Sequence, residues 1–118
     1  MPAHLVVLIT AGSVEEGQRI ARSLVEERLA ACVNTVSPIE SVYRWQGQVQ
    51  HDQEVLLIVK TAASMLEGLA ARVKQLHSYA VPEIIALPIV AGADDYLQWI
   101  DEQTGPSPEA GGSRTAVE

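Results

Sequence analysis

Two short, uninterrupted apolar runs constrain this chain more than anything else in it: residues 5–10 (LVVLIT) and 55–59 (VLLIV). Runs of this length suit buried strands and are far too short to span a membrane. The first is rich in β-branched residues and reads as a strand buried on both faces. Ser13 and Glu16 follow it as a capping box. The Ser13 hydroxyl is placed to accept a backbone N–H of the first turn, and Glu16 to reach back to the Ser13 N–H. Ile20, Ala21, Leu24, Val25 and Leu29 then recur at the spacing of one helical face, with charged residues mostly filling the other side.

A second strand begins within residues 31–35. Ser37 and Pro38 interrupt it, because proline removes a ladder donor and implies a bulge or bend. It resumes over 41–45, turns at Gln46 and Gly47, and returns through Val49 into the second apolar run as a β-hairpin. Residues 61–77 predict a second helix with Leu66, Leu69, Val73 and Leu76 on one face, stopped at Val81 and Pro82. Residues 83–90 (EIIALPIV) predict a last strand, which Pro88 confines to an edge or a bulge. Residues 94–103 predict a short terminal helix with Tyr96, Leu97, Trp99 and Ile100 on its apolar side. The order is β-α-β-β-α-β. With right-handed crossovers it closes as an α/β (α+β) domain: one four-stranded antiparallel sheet with both long helices on one face and the two apolar runs central. That is the ferredoxin-like arrangement, over residues 1–104. Residues 105–118 (GPSPEAGGSRTAVE) shift to Pro, Gly, Ser and Ala and predict a disordered tail.

Composition narrows the function. With no Phe, three Tyr and two Trp, the core must be aliphatic, which leaves the aromatics for special positions. A net charge of −7, with scattered Lys and Arg, argues against a nucleic-acid partner. The lone Cys32 excludes an internal disulfide and suits a reducing, cytoplasmic setting. The N-terminal segment lacks the basic region of a signal peptide, so no membrane partner is expected.

The hairpin is too long for one domain. Residues 33–45 would extend about 40 Å if fully paired, against a radius of gyration of about 13 Å for a domain of this length. Tyr43 and Trp45 therefore sit on an overshooting ribbon. Either another subunit covers it, as in a closed ring, or the hairpin folds back at Pro38 onto its own domain.

The segments LVEERLAACVN (24–34), SVYRWQG (41–47), EVLLIVKT (54–61), LHSYAVPEIIALPI (76–89) and YLQWI (96–100) resemble the CutA family, the divalent-cation tolerance proteins. The resemblance covers roughly residues 4–103. It implies a ferredoxin-like subunit in a homotrimer laid out like the PII signalling proteins, with neighbours joined through the 33–59 hairpin. It also implies a non-enzymatic role in metal tolerance and the binding of a divalent cation, copper or zinc, that folding does not require. Cys32, Tyr43, Trp45, Lys60, Thr61, His77, Tyr79 and Glu83 fall in the family's signature segments. Of these, Cys32, Tyr43, Trp45, Lys60, Thr61, Tyr79 and Glu83 are candidates to line a subunit cleft, and His77 with Cys32 to ligate metal. The family's copper ligands include a first-strand cysteine and a pair of adjacent histidines. Ile9 and Leu76 stand at two of those places.

Other roles stay open for the same residues. Cys32 reads equally as a small buried hydrophobe, and His77 as a cationic cap on its helix. Lys60 would hold an anion, or pair with Glu54 or Glu83. Cys32, His77 and Glu83 supply the residue types of a thiol nucleophile site, but no spacing places them together. A regulator or scaffold that binds a small ligand or partner at subunit clefts is the alternative to metal handling.

Overall fold

The two apolar runs lie side by side. In the computed structural model, which describes residues 2–107, β1 (His4–Ala11) pairs antiparallel with β3 (Gln48–Ala62), Val7 opposite Val59 and Ile9 opposite Leu57. β2 (Cys32–Trp45) flanks β3 and β4 (Ile84–Pro88) flanks β1, giving one antiparallel sheet in the order β2-β3-β1-β4. Helices α1 (Val14–Glu26) and α2 (Leu66–Leu76) supply Ile20, Leu24, Leu69 and Val73 to the aliphatic core with Val7, Ile9, Leu57 and Val59. This is the ferredoxin-like fold, with both central strands and the Pro88-bearing edge where the sequence predicts them. A short third helix, α3 (Asp94–Gln103), follows β4.

Four local expectations are corrected. First, β1 is not buried on both faces. Leu5, Val7 and Ile9 are buried while Val6 and Leu8 are only half-buried, because helices cover one face of the sheet. Second, α1 ends at Glu26, short of Leu29. Arg28 adopts a left-handed conformation (φ 61°), and its guanidinium donates to the carbonyls of Glu102 and Gly105 at 2.7 and 2.8 Å. Third, residues 61 and 62 extend β3 rather than opening α2, because they pair with Leu5 and His4. A 3₁₀ turn, Ala63–Met65, then precedes the helix. Fourth, β4 stops at Pro88 instead of continuing to residue 90.

The hairpin is as long as the sequence implies. β1 reaches only as far as Val55, so residues 48–54 of β3 pair with β2 alone, in a two-stranded ribbon about 23 Å long. The register shifts between Val36 and Ile39, at the cis Ser37–Pro38 bond. Gln46 and Gly47 close the ribbon with positive φ at both positions (51° and 79°), the backbone that a two-residue hairpin loop requires. The molecule measures 53 × 28 × 23 Å, with a radius of gyration of 15.5 Å. It does not fold back at Pro38. At the other end, the Gly105 N–H bonds the Arg28 carbonyl at 3.0 Å, so the anchored chain runs at least to there. The predicted tail lies outside the described residues from 108 onward.

Candidate functional site

The β1–α1 turn and the segment after α2 meet at one end of the sheet, and a polar network ties them together. Ser13 caps α1 as expected, accepting the Glu16 N–H at 3.1 Å. Glu16 does not reach back to Ser13. Its carboxylate accepts the Gly12 N–H at 3.3 Å, the Ser78 N–H at 2.7 Å and the Ser78 hydroxyl at 3.1 Å, so it clamps the α2–β4 segment onto α1. Burial acts to raise the Glu16 pKa, but the Ser78 and Gly12 hydrogen bonds outweigh it and hold the group below the ordinary carboxylate value.

His77 lies inside this network with its side chain fully buried. Nε2 stands 2.6 Å from the Thr10 carbonyl and must donate; Nδ1 accepts the Tyr79 N–H at 3.0 Å. That pattern describes a neutral imidazole with both nitrogens engaged, not a cationic helix cap. The His77 ring also packs against Tyr79, centroids 4.6 Å apart.

Tyr79 continues the network into a cleft of about 700 Å³ between the base of the ribbon and the 79–83 loop. Tyr43, Trp45, Tyr79 and Glu83, all predicted, line it together with Glu40 and Glu54, which were not. The Tyr79 hydroxyl donates to Glu54 Oε2 at 2.7 Å and the Tyr43 hydroxyl to Asp52 at 2.6 Å. Burial, and then the Glu54 carboxylate, push the Tyr79 phenol far above its ordinary pKa, so it stays a donor throughout the physiological range. Gly12 packs closely beside it: a Cβ there would meet the Tyr79 hydroxyl oxygen at 3.0 Å, so the ring would have to give by a few tenths of an ångström. Glu54 had one sequence signal, a carboxylate heading the apolar run of β3.

The remaining candidates lie elsewhere. Cys32 pairs with Lys60, which pairs with Val6, whereas His77 contacts Thr10; four residues of β1, about 13 Å, separate the two places. The Cys32 thiol lies 3.7 Å from Asn34 Oδ1, which also takes the Lys60 ammonium. Lys60 thus pairs with neither Glu54 nor Glu83. Thr61 is fully buried and donates to the Leu29 carbonyl at 2.7 Å, a structural bond. Ile9 is fully buried in the core and Leu76 packs against it, so neither presents a donor. Among the described residues, no three of His, Cys, Asp and Glu converge as a metal cluster. A copper site of the family type therefore does not fit this chain.

The comparisons with known proteins agree with this fold along nearly its whole length. The family model for the CutA1 divalent ion tolerance protein matches residues 5–103. The chain belongs to the CutA1 family. It is 58% identical to the divalent-cation tolerance protein CutA of Thermus thermophilus over 100 residues, 85% of this chain and 97% of that protein. A chloroplastic CutA of Arabidopsis thaliana is 53% identical over 100 residues, but the chain spans only 55% of its length. Among solved CutA1 structures, the Thermus protein superposes with a TM-score of 0.85 at 57% identity, covering 86% of this chain and 99% of that one. Rice CutA1 gives 0.86 at 50% identity, covering 90% and 97%. A CutA from Archaeoglobus fulgidus described as periplasmic matches at 0.83 and 44% identity, covering 85% and 97%. CutA1 relatives thus carry both chloroplastic and periplasmic descriptions, and membership alone names no compartment. Among the described residues, no helix is long and apolar enough to cross a membrane.

Proposed function

We propose that this protein serves divalent-cation tolerance without catalysis, as a homotrimer whose 33–59 hairpins join neighbouring sheets. One observation carries the reading: an apolar sheet face runs uncovered into an overhanging ribbon. Asn34, Ile58, Leu8 and Ile85 stand in register across all four strands, with Val36 opposite Leu56 on one side of that row and Lys60, Val6 and Leu87 in register on the other. Val36, Ile85 and Leu87 are 43%, 51% and 48% exposed in the single chain. A two-stranded ribbon and an apolar face of this kind favour burial against other copies. The free Cys32 thiol supports a cytoplasmic setting.

A copper or zinc ion would be handled at boundaries between subunits, since His77 and Cys32 stand apart within one chain. Titration of chelator-treated protein with Cu²⁺ and Zn²⁺, combined with light scattering, tests both parts. The expected result is a trimer mass with saturable micromolar uptake. A monomer at micromolar concentration would overturn the assembly, and no uptake in that range the cation role.

A second reading, a PII-like regulator that binds a small organic ligand, is favoured by the cleft at the ribbon base. Its volume of about 700 Å³ falls in the usual range for small-molecule sites, about 300–1,000 Å³. Trp45 in its wall makes tryptophan fluorescence the direct readout of an occupant.

A further inference from the structure

On this small-ligand reading, the cleft's own chemistry narrows its occupant: we propose that it binds an aliphatic di- or polyamine. Glu54 is the anchor. It is only 7% exposed, and Tyr79 holds its Oε2. Oε1 takes no hydrogen bond among the described residues. No fully enclosed side-chain polar atom there lacks a partner, so Oε1 opens to the cleft that Glu54 lines. A carboxylate so far removed from water gains from a cationic partner. Glu40 and Glu83 add two more carboxylates, and among the described residues no Lys, Arg or His lines the cleft. His51 stands 3.8 Å from Glu40 on the neighbouring strand of the ribbon and does not itself line the cleft.

Shape separates an organic polycation from a metal ion. The three carboxylates are spread around the walls and do not converge on one point among the described residues. A single small ion therefore cannot satisfy them together. Ammonium groups spaced along a methylene chain can, each donating up to three hydrogen bonds at its own carboxylate. The methylenes then lie against Tyr43, Tyr79 and Trp45, whose ring faces attract the adjacent ammoniums. The chain's net charge of −7 raises the local concentration of such cations.

The test is calorimetric titration, with tryptophan fluorescence in parallel, of the intact protein at about 150 mM salt. The probes are spermidine, the uncharged 1,4-butanediol and the anionic glutarate. Two variants accompany it. Glu83→Gln alters an exposed loop residue, and Glu54→Gln keeps an oxygen to accept from Tyr79, so both should fold. The expected result is saturable spermidine binding, one per chain, weakened about tenfold or more by Glu54→Gln and several-fold by Glu83→Gln, with no butanediol uptake. Spermidine uptake equal in all three proteins would be general attraction to an acidic surface and would overturn the proposal. Saturation by butanediol or glutarate in its place would overturn it too, while keeping the small-ligand reading. Saturation by none of the three overturns it and leaves that reading unsupported.

Discussion

His77 and Glu16 show how one polar residue can be claimed by the scaffold before any ligand reaches it. The His77 ring joins the end of β1 to the segment after α2 through one donated and one accepted hydrogen bond. His77→Ala would leave the Tyr79 N–H and the Thr10 carbonyl without these partners in a buried place. The expected cost is about 2–4 kcal/mol, read as a fall in melting temperature on the order of 10 °C. Unchanged melting with lost Cu²⁺ uptake would instead make His77 a ligand. Glu16 gives a pH dependence whose sign follows from its depressed pKa. Its contribution is present in full above the unfolded value, about 4.3. It is lost as pH falls from there through the lower folded value. Urea unfolding should therefore show wild type more stable than Glu16→Gln by a constant amount between about pH 5.5 and 8, with the gap closing below about pH 4. A gap that widens in acid would contradict the assignment.

At the scale of elements, Arg28 explains a helix end that periodicity placed too late. A non-glycine residue in the left-handed region costs roughly 1–2 kcal/mol, and here its side chain offsets that by fastening the end of α3. Two substitutions separate the effects. Arg28→Ala loses the fastening and keeps the strained backbone, whereas Arg28→Gly loses the fastening but relieves the strain. Arg28→Gly should be the more stable of the two by about 1 kcal/mol in chemical denaturation. Amide exchange near Ile100 and Thr104 should quicken in both. The hairpin makes the opposite point. Its residues read easily as strand, and the cleft follows because the ribbon overhangs and brings Tyr43 and Trp45 near the 79–83 loop.

For the whole molecule, a net charge of −7 would suggest association through ions, yet the uncovered surface is an apolar face and a ribbon carrying Val42, Tyr43, Trp45 and Val49. Burial of apolar area resists salt, whereas exposed ion pairs are screened. The proposed trimer should therefore persist in about 1 M sodium chloride, where the Debye length is about 3 Å. A double change, Val42→Asp with Trp45→Asp, should lower the mass while circular dichroism keeps the sheet signal. Dissociation of the unaltered protein by salt alone would show that ions hold it.

Residue patterning alone determined the element order, the two central strands, the edge position of Pro88 and the overlong hairpin. Apolar periodicity and proline's missing N–H are local properties, and they survive being read one segment at a time. Tertiary structure decided the rest. Thr61 became strand because β1 lay opposite to pair with it, and Leu29 fell outside α1 because Arg28 had a distant carbonyl to hold. Of the nominated site residues, Tyr43, Trp45, Tyr79 and Glu83 converge while Cys32, Lys60 and Thr61 lie at the other end of the sheet. Which groups meet depends on strand register and on where the ribbon leaves its sheet, and neither is a property of any one segment.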